Sequence, residues 1–93
     1  MKSSAEIKKI AKETISLEVA AISKLHNRID DDFVKIINLI LNAKGRLIVV
    51  GIGKSANIAN KMVATFNSTG QPAVFLHAAD AIHGDLGNIQ DGD

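Results

Sequence analysis

Two short, unbroken apolar runs with a helix-period segment between them constrain this chain most. Arg46-Leu47-Ile48-Val49-Val50 is rich in β-branched residues, and neither it nor Ala73-Val74-Phe75-Leu76 shows polar alternation. Such runs suit strands buried on both faces, as in parallel sheets. Between them Ile58, Met62 and Phe66 fall on one helical row, with Ala59 and Val63 beside it. Gly70 ends that pattern and Pro72 lies just beyond, the usual stop signals. Parallel neighbours need a crossover, which is right-handed by rule. Residues 46–76 are therefore predicted as one β-α-β unit. Two parallel strands make too small a sheet to stand alone. The pattern is expected to be an α/β domain cut off part-way.

Upstream, the period is helical. Ile7, Ile10, Thr14, Leu17, Ala21 and Leu25 form one stripe, widened by Ile15, Val19 and Ile22. Ser3 and Glu6 have the spacing of a capping box. Lys8, Lys9, Lys12, Glu13 and Lys24 lie on the other side. A stripe this wide fits packing on a partner subunit as well as on a core. Asp30-Asp31-Asp32 then suits the cap and first turn of a second helix, running from about Asp32 to Lys44. Phe33, Ile36, Ile37, Ile40 and Leu41 form its buried face, and Gly45 is placed for a left-handed residue after the helix. The expected division is a helical region over 1–44 and an α/β portion over 45–93.

Composition narrows the classes. Eleven Lys and Arg against ten Asp and Glu give a net charge of +1, and aromatics are 3% with no Trp or Tyr. Neither nucleic-acid binding by a basic face nor base stacking is expected. No cysteine is present, which excludes disulfides and thiol chemistry. The longest apolar run, Leu47 to Ile52, falls far short of the ~20 residues of a membrane span. The N-terminus has alternating charge and no apolar signal core, so no membrane partner and a cytoplasmic location are expected. Mean hydropathy of +0.14 is apolar for 93 residues. Small domains bury only a modest share of their surface. Further chain or a second subunit is expected to cover the excess.

The chemistry concentrates in two segments. Gly51-Ile52-Gly53-Lys54-Ser55 joins the first strand to the next helix. Glycines permit a sharp turn and close approach of N–H groups to an anion, and a helix N-terminus adds partial positive charge. Lys54 adds a full charge and Ser55 a hydroxyl. Phosphate binding is the physical expectation; a plain turn with a solvated lysine is the bland alternative. A nucleotide P-loop is excluded because Ile48 stands where its first glycine belongs. Gly51-x-Gly53-x-x-Ala56 matches a dinucleotide fingerprint, but the second strand ends at His77 rather than at an acid.

The second segment is His77 with His83-Gly84-Asp85-Leu86-Gly87, directly after the second strand. A short helical turn is expected around Ala78–Ile82. In open α/β sheets ligands lie beyond the carboxyl ends of the strands. Lys54, Ser55, His77, His83 and Asp85 are thus expected at one end. Histidine suits acid–base work near neutral pH, with helix capping as the bland role for each. The spacing of His77, His83 and Asp85 matches no standard zinc pattern, so no metal is expected. His26 falls in the first helix, in a structural or exposed position.

Gly51-Ile52-Gly53-Lys54-Ser55, then Ala64-Thr65-Phe66-Asn67-Ser68-Thr69-Gly70, then His77-Ala78-Ala79-Asp80-Ala81-Ile82-His83-Gly84-Asp85-Leu86-Gly87 together resemble the sugar isomerase (SIS) domain. More narrowly they resemble the D-arabinose 5-phosphate isomerases of the KpsF/GutQ type. The resemblance implies a flavodoxin-like parallel sheet, a tetramer and no cofactor. It implies interconversion of arabinose 5-phosphate and ribulose 5-phosphate for Kdo and lipopolysaccharide or capsule synthesis. On that basis His83 and Lys54 are the catalytic candidates. Gly51, Gly53, Ser55, His77 and Asp85 are the substrate-binding ones. The family continues with a third strand and a Ser-rich phosphate loop beyond the residues present. The chain alone is therefore expected to hold half a site. A phosphosugar sensor, a dinucleotide-binding fragment and a helical assembly module are the competing readings.

Overall fold

A computed structural model describes residues 1–93. They form helices α1 (Ser4–Leu25) and α2 (Asp31–Asn42), strand β1 (Leu47–Gly51), helix α3 (Gly53–Ser68), strand β2 (Ala73–His77) and the short helix α4 (Ala78–Ile82). Single 3-10 turns occupy His26–Arg28 and Asp85–Asn88. Two compact units result, Met1–Ile36 and Ile37–Asp93.

In the first unit, α1 opens with the capping box. The Glu6 N–H donates to Ser3 Oγ at 3.2 Å, and the Ser3 N–H donates to Glu6 Oε2 at 2.7 Å. Thr14 sits within the apolar stripe by donating its hydroxyl to the Ile10 carbonyl at 3.0 Å. His26 lies just past α1, as its C-cap and the first residue of the 3-10 turn. Asp30 caps α2, accepting the Phe33 N–H at 3.1 Å. No residue of α1 or α2 is buried, and Leu17, Leu39 and Leu41 are more than 70% exposed. No helix is long and apolar enough to cross a membrane.

The expected left-handed residue at Gly45 is not found, since its φ is not positive. The glycine is needed for a different reason. A Cβ there would stand 2.6 Å from the backbone of Gly92, whose carbonyl accepts the Gly45 N–H at 3.0 Å. The helix ends earlier, at Asn42, whose side chain bonds the Asn38 carbonyl.

In the second unit, β1 and β2 pair in parallel, from Leu47 opposite Ala73 to Gly51 opposite His77. Helix α3 packs on both strands. Its buried face differs from the expected row. Ala56 and Ala59 are buried and Val63 and Phe66 half-buried, while Ile58 is 64% exposed. Small residues allow the closer approach of a helix to a strand backbone. With Ala73 and Leu76, these alanines are the buried apolar residues. The helix ends in a Schellman motif: Gly70, at φ +94°, donates to the Asn67 carbonyl, and Gln71 donates to that of Phe66. Asn67 then holds the start of β2. Its amide donates to the Ala73 carbonyl at 3.0 Å and accepts the Ala73 N–H at 2.8 Å.

Candidate functional site

Parallel pairing decides where the chemistry gathers. Gly51 and His77 are register partners at the carboxyl ends of the two strands, so the two motif loops leave the sheet side by side. The first connection is shorter than a five-residue turn. Gly51 is the last residue of β1, Ile52 is the N-cap, and Gly53 already begins α3. A side chain at Gly51 would place its Cβ 3.0 Å from the Ser55 carbonyl carbon and 3.1 Å from the Ala56 Cα. Gly53 has φ +59°, a left-handed conformation that an L side chain disfavours, and has open space around it. These two glycines together allow a strand to become a helix across one residue.

Lys54 and Ser55 consequently lie in the first turn of α3, and both are exposed. The first N–H groups of a helix have no intrahelical partner. Ile52 supplies no side-chain cap, and no acid stands in the first turn. The end is electropositive through the helix dipole and the Lys54 ammonium.

The second loop is built differently. His77 is half-buried and caps α4, its Nδ1 accepting the Ala79 N–H at 3.1 Å. With Nδ1 accepting, Nε2 is the ring nitrogen left to donate. Phe75 meets the ring edge-on, with centroids 6.2 Å apart. His77, Asp80, Asp85 and Asn88 supply the polar lining of a cavity of about 150 Å³, whose apolar wall includes Ile48 and Val74. His83 is the exposed C-cap of α4, followed by Gly84 at φ +123°.

Of the candidate residues, the cavity gathers His77 and Asp85. Lys54, Ser55 and His83 stand outside its lining, on exposed surface. His77 performs the capping role, which leaves Nε2 for a ligand. Asp80 and Asn88 were not among the candidates. Asp80 had a signal, as the acid in the first turn of α4; Asn88 had none.

Residues 78–93 return from the end of β2 to the start of β1. There Arg46 meets Asp93. The Arg46 N–H and Nε donate to Asp93 Oδ1 at 2.9 and 3.2 Å, and Nη2 donates to Oδ2 at 2.8 Å. Nη2 also donates to the Asn88 carbonyl at 2.8 Å, and the Gln90 N–H to Asp93 Oδ2 at 2.8 Å. Hydrogen bonds from Arg46 and the Gln90 N–H hold the Asp93 carboxyl well below the usual carboxylate range, and Asp93 raises the Arg46 guanidinium in turn.

The sequence model of the SIS domain matches residues 39–93. The chain belongs to the SIS domain family. Two curated relatives are 49% identical over 82 residues, 88% of this chain and 26% of their own. Both are arabinose 5-phosphate isomerases GutQ, of Escherichia coli K12 and Salmonella typhi. A solved E. coli CFT073 structure in complex with A5P is 32% identical with a TM-score of 0.92. It is covered over 49% of its length by 99% of this chain. This SIS chain thus spans about a quarter of the length of the curated relatives it matches.

Proposed function

We propose that this SIS chain contributes to an aldose–ketose isomerase acting on a pentose phosphate, arabinose 5-phosphate and ribulose 5-phosphate. The observation that carries the reading is the register of Gly51 with His77, which sets a cationic helix end beside a histidine-bearing loop. About half-identity to arabinose 5-phosphate isomerases supports the substrate class. In the reaction a base removes the C2 proton of the open-chain aldose, and the electron pair forms an enediolate. The proton returns to C1, while O1 gains a proton and O2 loses one. His83 is the acid–base candidate, and the Lys54 ammonium steadies the developing oxyanion. Ser55 and the backbone of Gly51 and Gly53 face the anionic substrate. His77 Nε2 and Asp85 orient its hydroxyls. No redox cofactor enters, since the two sugars share one oxidation state.

In this reading residues 45–93 bear the site and residues 1–44 serve assembly, with the exposed apolar rows of α1 and α2 covered in a homo-oligomer, a tetramer. The protein is cytoplasmic, and its product, arabinose 5-phosphate, feeds Kdo synthesis for lipopolysaccharide or capsule. The test is turnover of arabinose 5-phosphate by the full-length protein beside His83→Ala. The expected loss is about a hundred- to ten-thousandfold in kcat. Wild-type turnover with an equally active variant would remove His83 from the chemistry. Binding of the sugar phosphate without turnover would mark a sensor instead.

A further inference from the structure

Residues 78–93 carry His83 and Asp85 but little that packs. Helix α4 has five residues and the following 3-10 turn four, and neither has a buried residue. The segment is tied at its two ends instead. His77 caps α4 at the carboxyl edge of the sheet. At the opposite edge, Arg46 binds Asp93 through its backbone N–H, Nε and Nη2 and also reaches the Asn88 carbonyl. The Asp93 side chain is only 2% exposed there. Gly45, which has no room for a Cβ, bonds Gly92 beside it. The tie at Asn88 is three residues from Asp85, and Asn88 and Asp85 line the same cavity as His77.

We propose that Arg46, fixed by Asp93, is a positioning residue for the catalytic loop: its grip on the Asn88 carbonyl sets where Asp85 and His83 stand. A planar fork is needed for this. One guanidinium serves a carboxylate and a carbonyl together, which a lysine ammonium on a flexible stem does not reproduce. The proposal rests on the isomerase reading for its kinetic consequence, and on the ties alone for its structural one.

The test compares Arg46→Lys and Asp93→Asn with wild type in the full-length protein, by amide hydrogen exchange and by steady-state kinetics with arabinose 5-phosphate. Exchange at residues 84–88 is expected to quicken about tenfold in Arg46→Lys, with the β1 and α3 amides unchanged. The kcat is expected to fall about ten- to hundredfold while KM stays within about twofold, because a displaced group slows chemistry more than binding. Asp93→Asn, which keeps one acceptor oxygen, should change both in the same direction by less. Unchanged exchange at 84–88 in both variants overturns the proposal. So does quickened exchange with an unaltered kcat, or loss of protection throughout the sheet in both variants. Should the wild type leave arabinose 5-phosphate unconverted, the substrate reading fails by itself, and the exchange arm still decides whether Arg46 holds the loop.

Discussion

The two compact units carry comparable apolar rows, yet only one closes a core. Within Met1–Ile36 every residue is exposed, and the order is local: a capping box, a back-bonded threonine and the Asp30 cap, each joining residues three or four apart. Within Ile37–Asp93, Ala56, Ala59, Ala73 and Leu76 are buried, and the firmest polar contact joins residues 47 apart. The first holds α1 and the opening turns of α2, with no apolar face buried. The second is a closed loop of chain, tied at both ends of a parallel pair. Helices without buried faces are marginal in water, so the first unit rests on caps and local bonds and the second on a closed core.

The sharpest break between the units is chemical. Lys54→Ala should lower the kcat of the full-length protein by about a hundred- to a thousandfold, as removal of one oxyanion-stabilising donor does. Lys9→Ala, on the exposed face of α1, should leave it within about twofold. Steady-state turnover of arabinose 5-phosphate checks both, and equal effects would erase the functional distinction. The next effect is on stability. Gly45→Ala forces a methyl against the Gly92 backbone and should cost about 1–3 kcal/mol in denaturant unfolding.

Acid should loosen the same place reversibly. The folded pKa of Asp93 lies below its unfolded value, so its stabilisation is complete above about pH 4 and is lost as pH falls further toward the lowered value. Amide exchange at residues 88–93 against pH would follow it, and Asp93→Asn should flatten the profile.

The remaining two effects concern the helical unit. Leu17→Asp, on the α1 stripe, should weaken self-association about tenfold, read by sedimentation, with little change in the β-α-β amides. Ser3→Ala removes half of the capping box and should cost about 1 kcal/mol, seen as faster exchange over the first turn of α1.

Much of this was legible in the residues, for reasons that differ by element. The capping box, the two strands and the Gly70 stop follow from local rules, and the structure has each of them. The α3 face was read in part: Ala59, Val63 and Phe66 turn inward as expected, but apolar size also points to Ile58 and Met62, whereas close packing on a strand selects Ala56. Gly45 was misjudged because a glycine after a helix reads as a left-handed cap, and its true neighbour is 47 residues away. The Arg46–Asp93 tie has no local signature for the same reason. Within the candidate site, the shared edge of the loops follows from parallel pairing. The split between the cavity residues and exposed Lys54 and His83 depends on how α4 and the following turn lie, which no spacing encodes.

The grip of Asn67 on β2 has a consequence for solubility. The Leu47 N–H donates to the Pro72 carbonyl at 2.8 Å, so in the parallel ladder Ala73 turns its own N–H and C=O away from β1. Asn67 occupies both groups, behaving as a one-residue stub of a neighbouring strand. A stray chain seeking an open sheet margin finds the first outward step of β2 taken, which is how edges are guarded against aggregation. On β1 the matching place is held by Asp93, whose Oδ1 accepts the Arg46 N–H, and beyond it Ile48 and Val50 turn outward. Each margin of the sheet is thus stopped at its first step by a side chain.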